Sequence, residues 1–232
     1  MDEGVRIRFR WLRRFALWAA AVVVGVPLLC TLYLAVLPPA VTPLMLIRWV
    51  EGYGLEKSWR ALDEIAPVLP QTVMAGEDNN FCRHHGFDLG AIAEAVDEWR
   101  DGGRLRGAST ISQQTAKNLF LWPGGGLLRK GVEAYLTVWL EFLLGKRRIM
   151  ELYLNIAEWG PGIYGAQAAA QHHFGRDAAD LTGRQAALLA AVLPDPLDRS
   201  AGKPSGYVGR RAAALERRRV QLGDLTACVS PP

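Results

Sequence analysis

Apolar residues recur along this chain three or four positions apart, the spacing of helices, and almost nowhere in strict alternation. The longest apolar run comes first: Phe15 to Leu37 carries no charge and is interrupted only by Pro27 and small residues. A bilayer takes roughly 20 apolar residues to cross, and a cleaved signal peptide has an apolar region of only about 7–15. Beyond it, Ile92, Val96 and Trp99 predict one apolar stripe, with Asp88 placed to cap its helix. Val132, Leu136, Trp139, Leu140 and Leu143 predict a second, which Gly145 should break; Ile149, Leu152, Tyr153 and Ile156 continue past it. The alanine-rich runs 165–170 and 185–192 read as close-packed helices. The latter is opened by a Thr182–Gln185 capping box and closed by Pro194 and Pro196. A last helix is expected from about Tyr207 to Leu222, stopping at Gly223. No strands and no tandem repeats are expected, and the fold class is mainly α.

Charge gives the first run a direction. Residues 1–14 set Arg6, Arg8, Arg10, Arg13 and Arg14 against Asp2 and Glu3, an arm of +3 in a chain whose total is +4. Arginines before an apolar span hold that end in the cytoplasm. A buried core helix is the competing reading, and the arginine flank argues against it. Leu29 before Cys30 is too bulky for a lipoprotein cleavage site. The expected order is a cytoplasmic basic arm (1–14), a transmembrane signal anchor (15–37), a linker and membrane-proximal segment (38–58), a domain (59–223) and a tail (224–232). The about 190 residues after the anchor suit one compact domain. Without the arm that domain is nearly neutral, and it lacks the basic face a nucleic-acid partner requires. With Cys30 in the anchor, only Cys82 and Cys228 are left to pair, and nothing in the sequence decides whether they do.

Three polar clusters can carry chemistry. Glu77 to Gly86 reads EDNNFCRHHG and follows an apolar segment, where partial desolvation can raise a carboxyl pKa towards neutrality. A solvated Glu-Asp pair is the bland alternative. In Arg106 to Asn118, a helix starting near Ser109 puts Thr110, Gln114 and Lys117 on one face. A hydroxyl, an amide and an ammonium in line suit a phosphorylated sugar; Thr110 and Gln113 can equally form a capping box. In the third, Arg129, Lys130 and Glu133 share a helix face, as an ordinary ion pair or as a holder for a diphosphate and its divalent ion. Gly124-Gly125-Gly126 lacks a phosphate-loop ending and reads as a flexible connector. His84-His85 and His172-His173 lack the spacing of a helical zinc site.

The segments EDNNFCRHHGFD, GASTISQQTAKNLFLW, RKGVEAYLTVWLE, KRRIMELYLNIAEWGPGIYGAQAAAQHHFG and RQAALLAAVLPDPL occur in that order. They resemble the five motif blocks of the peptidoglycan glycosyltransferases, the polymerase module of class A penicillin-binding proteins, over roughly Trp59 to Leu222. The chain ends soon after, without room for a transpeptidase domain, and so is similar to the monofunctional, membrane-anchored transglycosylases of Gram-negative bacteria. The resemblance implies a mainly α, lysozyme-like domain in the periplasm, anchored in the inner membrane. It implies lipid II and the growing lipid-linked glycan strand as substrates, with membrane lipid and other cell-wall synthesis or division proteins as partners. Glu77 matches the general base and Glu133 the second essential carboxylate. Asp78, Phe81, His84, Thr110, Gln114, Lys117, Arg129 and Lys130 match substrate-binding positions. A divalent cation, magnesium or manganese, is expected with the donor diphosphate at Glu133, and no organic cofactor. Tyr153 and Asn155 fall in a block that looks mainly structural. The chain departs from the pattern at Cys82, at Ser112, and at Arg217-Arg218-Arg219 with the tail. Two rival readings are a lytic, lysozyme-like enzyme that cuts glycan, and an inactive anchored scaffold. Leu119-Phe120-Leu121-Trp122 with Leu127-Leu128 is either a segment dipping into the outer leaflet or a buried helix end.

Overall fold

The computed structural model describes residues 3–103 and 107–230. Asp2, Arg106 and Pro232, and the side chains of Glu3, Arg6 and Arg8, lie outside the described residues. The chain forms two compact units, Met1–Leu37 and Pro38–Pro232. In the first, α1 (Glu3–Ala20) and α2 (Val26–Val36) are joined by a π-helical turn at Ala21–Gly25. The wider turn falls where Pro27 needs it, because a proline has no N–H for the carbonyl four residues back and its ring crowds that carbonyl. Among the described residues, the helical stretch able to cross a membrane by length and composition is Arg10–Val36, whose most apolar 18-residue window has mean hydropathy 2.3. It therefore takes in Arg10, Arg13 and Arg14, which were assigned to the arm.

The second unit begins earlier than expected. Helix α3 (Pro43–Val50), capped by Thr42, lies in the supposed linker; its Leu44 and Met45 are buried and it packs on α6. The short strand β1 (Glu56–Lys57) also falls in that segment. After it come α4 (Val68–Glu77), α5 (Leu89–Arg100), α6 (Ile111–Phe120), α7 (Leu127–Leu143) and α8 (Lys146–Ile156). Strands β2 (Glu158–Gly160) and β3 (Ile163–Tyr164) follow, then α9 (Ala166–Phe174), α10 (Gly183–Val192) and α11 (Gly206–Leu222). The sheet has the order β1-β3-β2, parallel then antiparallel. No strands were expected, because elements of two or three residues, buried on both faces as β2 and β3 are, show no alternation.

Two helical groups make up the domain. Helices α4, α10 and α11 pack on one another, and α6 packs on α7 and α8. Ala186, Ala187, Ala190 and Ala191 of α10 are all buried, and side chains that small let α4 and α11 lie close. As expected, Gly145 separates α7 from α8, Asp88 caps α5, the Thr182–Gln185 box opens α10, and α11 stops at Gly223. Burial differs from the expected pattern on two helices. On α5 only Ala95 is buried, leaving Leu89, Ile92 and Trp99 exposed. On α7, Leu136 and Leu140 are buried while Val132, Val138 and Phe142 are exposed. Spacing reports that apolar side chains share a face, not what covers it.

The tail is also part of the fold. Residues Gly223–Val229 form a 3-10 helix with Thr226 and Val229 buried, and Cys228 is joined to Cys82 by a disulfide. That bond closes a sequence separation of 146 residues and ties the C-terminal helix to the loop after α4. A cross-link over so long a loop contributes about 2–4 kcal/mol. Reduction, or Cys228→Ser, should lower the melting temperature by about 5–10 °C, read by circular dichroism with and without thiol.

Candidate active site

Glu77 is the last residue of α4, following Val73, Met74 and Ala75, all fully buried. Its side chain is 12% exposed. Burial is the largest influence on its carboxyl and pushes the pKa above the ordinary range, with nearby Asp78 adding to the rise. Three groups oppose it: Gln114 Nε2 donates to Glu77 Oε2 at 3.0 Å, Arg211 of α11 stands 3.7 Å from Oε1, and Lys117 is near. Gln114 and Lys117 lie on one face of α6, as expected. Burial pushes the Lys117 pKa down, Arg129 and Lys130 add to the fall, and Glu133 and Glu77 oppose it. One ammonium thus lies in range of both carboxylates.

Asp78, one residue on, does the opposite of Glu77. Its carboxylate accepts the Ile111 N–H at 2.9 Å and lies 3.0 Å from His84 Nε2. His84 Nδ1 accepts the Gly86 N–H at 3.1 Å, so Nε2 carries the ring hydrogen and donates it to Asp78. Gly86 has φ +92°, and a Cβ there would meet Thr137 Cγ2 at 2.9 Å. Its carbonyl accepts the Thr110 hydroxyl at 2.7 Å, while Thr110 caps α6 in a box with Gln113. Phe81 is fully buried, with the Lys146 ammonium 4.5 Å from its ring centroid. Lys146 also pairs with Glu141 at 2.6 Å, and Glu141 accepts the Ser112 hydroxyl.

Asp78, Phe81, His84 and Thr110, all matched to substrate-binding positions, make contacts within the protein here, and Asp78 and Thr110 also line the cavity beside Glu77. Phe81 has no surface to offer, and the other three have their polar atoms engaged with protein. Asp78 and Thr110 reach the cavity wall only in that engaged state. They lock the loop after α4 onto the start of α6, which sets where Glu77 and Gln114 meet.

On α7, Arg129 donates to Glu133 Oε2 at 2.8 Å, and Lys130 bonds to Glu133 Oε1 and, at 2.8 Å, to Ser109 Oγ. The Glu133 side chain is only 3% exposed. The glycine run before α7 is more than a connector: at Gly125, φ +96°, a Cβ would lie 2.7 Å from Arg129 Cδ, so glycine lets that side chain fold back onto the loop. Glu133 was also the expected metal ligand. Both its oxygens are taken by cations, and among the described residues no group of three His, Cys, Asp or Glu side chains converges on a point. The residues present do not form a cage for a resident ion.

Glu77 lines one cavity and its partner Gln114 lines a second. One, of about 440 Å³, is lined by Glu77, Asp88, Glu94, Ser109 and Arg218 among others. The second, of about 180 Å³, is lined by Gln114, Lys117, Arg48, Trp122 and Tyr153 among others. Arg211, Arg218, Ser109 and Tyr153 were not among the expected site residues. A signal for the arginines exists: Val208, Arg211, Leu215, Arg218 and Leu222 recur at helical spacing, with Val208, Leu215 and Leu222 buried. Two arginines on a core-facing stripe need an anionic or carbonyl partner, and Arg218 finds the Ala75 carbonyl at 3.2 Å.

A helical domain with a desolvated carboxylate at one point of its cleft and a cation-bound second carboxylate nearby is built for transfer chemistry on a phosphorylated sugar. The transglycosylase family model matches residues 45–225, and the chain belongs to that family, whose domain is lysozyme-like. It is 48% identical over 223 residues to the biosynthetic peptidoglycan transglycosylase of Caulobacter vibrioides, covering 95% of this chain and 97% of that one. It is 50% identical over 226 residues to the protein of the same description in Rhodospirillum centenum, covering 96% and 97%. Against the Pseudomonas aeruginosa protein so described it is 48% identical over 228 residues, covering 94% and 95%. The start of the match at residue 45 agrees with α3 belonging to the domain.

The bonds of Asp78 give this placement a test. Asp78→Ala leaves the Ile111 N–H and the His84 ring without their acceptor, and should cost about 2–3 kcal/mol in urea melts. A side chain that only touched substrate would leave the melt unchanged.

Proposed function

We infer that the protein is a peptidoglycan glycosyltransferase that polymerises lipid II into glycan strands. The observation that carries the reading is that Glu77 and Ser109 line one cavity, and Ser109 is bonded to the Lys130 that Glu133 holds. Glu77 takes the proton from the acceptor's sugar hydroxyl as that oxygen forms a bond to the anomeric carbon of the lipid-linked donor. The bond from that carbon to the diphosphate breaks, and undecaprenyl diphosphate leaves with the electron pair. Attack opposite an α-linked diphosphate inverts the centre and gives a β-1,4 bond. A raised carboxyl pKa suits the proton transfer, since a base is most effective when its pKa lies near the working pH.

Lys117, Arg129 and Lys130 offset the charge that develops on the diphosphate. Arg129 supports this with a buried Nε that has no protein partner among the described residues. Glu133 holds Arg129 and Lys130 in place rather than accepting the substrate's proton. A lytic reading needs one acid and has no use for these cations, and a scaffold has no use for a desolvated Glu77.

With purified protein and lipid II, Glu77→Gln should lower polymerisation at least about 1,000-fold while folding normally. Polymer formed at the unaltered rate by Glu77→Gln would end this mechanism; fragments released from finished glycan would favour the lytic one. Because Glu133 is already bound by cations, EDTA should leave most of the activity in the same assay. A loss restored by magnesium or manganese would place the divalent ion back at Glu133.

The membrane side of the proposal rests on exposed apolar surface. Leu119 and Leu121 follow the buried-helix-end alternative, whereas Trp122, Leu127 and Leu128 are exposed, and Val132, Val138 and Phe142 extend that surface along α7. Trp122 also lines the second cavity, so this surface adjoins the site. We place it against the outer leaflet of the inner membrane, with residues 10–36 as the anchor and the N-terminus in the cytoplasm. Confining enzyme and lipid substrate to one surface raises their effective concentration. Leu128→Glu with Phe142→Glu should weaken binding of residues 38–232 to liposomes about tenfold and leave the melting temperature unchanged.

A further inference from the structure

We propose that Tyr153, on α8, is a positioning residue for Glu77: its hydroxyl fixes the Gln114 amide so that the amide nitrogen faces the carboxylate. Tyr153 lies in the block that resembles a structural one, and its ring is 1% exposed. Its O–H donates to Gln114 Oε1 at 3.2 Å, and Gln114 Nε2 donates to Glu77 Oε2 at 3.0 Å. The order of this relay follows from donor chemistry. An ionised carboxylate only accepts, so the amide must turn its nitrogen to Glu77 and its oxygen away. That oxygen then faces α8 from a half-buried side chain, and the Tyr153 hydroxyl is the donor that meets it. Burial, with Glu77 and Asp78 nearby, pushes the phenol pKa well above its usual value, so the hydroxyl keeps its proton and remains a donor.

Without that donor the Gln114 oxygen loses its hydrogen bond and only Glu77 holds the amide, so the donor to the carboxylate is less firmly placed. The other charged groups acting on Glu77 are Lys117 on α6, Arg211 on α11 and Asp78 at the end of α4. Lys117 in turn feels Glu133, Arg129 and Lys130 on α7. None of these can orient the Gln114 amide, because only Tyr153 and Glu77 hydrogen-bond to it among the described residues.

The inference rests on Glu77 acting as the base, and its sign is fixed. The Gln114 hydrogen bond favours charged Glu77 and lowers its pKa against burial. Removing the phenol hydroxyl weakens that bond, raises the Glu77 pKa, and moves the acid limb of kcat/KM for lipid II polymerisation to higher pH. In the full chain in detergent, Tyr153→Phe should shift that limb up by about 0.5–1 pH unit, with the plateau rate changed less. In a Gln114→Leu background the same substitution should shift it no further. A loss equal at every pH, tracking a lower melting temperature, would make Tyr153 merely structural and overturn the relay. So would an unchanged limb, or the same shift when Gln114 is absent. A fluorinated tyrosine at 153 keeps the shape and makes the hydroxyl a stronger donor, so the limb should move the other way; this covers a Tyr153→Phe protein that folds poorly. Glu77→Gln, assayed beside them, separates the two failures: if it polymerises with a normal acid limb, the base assignment is what fails.

Discussion

A carboxylate at the C-terminal end of a buried helix is in an unfavourable place three times over. Burial takes it out of water, the helix end contributes negative partial charge, and Asp78 is its neighbour. Glu77 is tolerated there because donors reach it from outside its own helix: Gln114 and Lys117 from α6, Arg211 from α11, and Tyr153 of α8 behind Gln114. This requirement explains much of the packing. Small side chains on α10 let α11 approach α4, and that approach brings Arg211 to 3.7 Å from the carboxylate. Capping of α6 by Thr110 sets the axial position of Gln114 one turn on.

Glu77 and Asp78 show how neighbouring carboxylates acquire different tasks from their surroundings. Asp78 points at the N-terminus of α6, where free N–H groups and the positive end of the helix favour a negative charge, and it is closed off by His84. Glu77 points into a cavity with one hydrogen bond and two cations. One is a fastener between two parts of the fold and the other is the proposed base. The disulfide to Cys228 and the Lys146 ammonium over Phe81 hold the same loop from its far side.

Much of this was legible in the sequence where the causal residues are near one another. The boundaries of α5, α7, α10 and α11 follow from Asp88, Gly145, Thr182 with Gln185, and Gly223, each a local signal. The common face of Gln114 with Lys117, and of Arg129, Lys130 and Glu133, follows from helical spacing alone. Contacts made across the chain were not legible. Arg211 meets Glu77 from 134 residues away in number, and neither residue carries a local mark of the other. Phe81 belongs to the same polar block as Glu77, yet it is fully buried core. A motif records which residues travel together and not which of them face the cleft. The strands and α3 escaped for a simpler reason, being short elements stabilised by partners distant in the chain.

Glu133 has the same side chain as Glu77 and the opposite surroundings, and the contrast supports the different roles proposed for them. A base needs an oxygen with room for an incoming proton; Glu77 lines a cavity, and among the described residues its Oε1 has Arg211 at 3.7 Å as its ion-pair partner. Both oxygens of Glu133 are already held by Arg129 and Lys130, in the tight contacts of charge-assisted pairs. Its effect is to aim two cations that would otherwise repel each other and Lys117. A diphosphate entering beside them would add negative charge next to Lys117, against the downward push of burial on its pKa, and would extend that field to Glu77. Negative charge near a carboxylate raises its pKa further. On the proposed base role, donor binding would therefore strengthen Glu77, with Lys117 the group on which both carboxylates act.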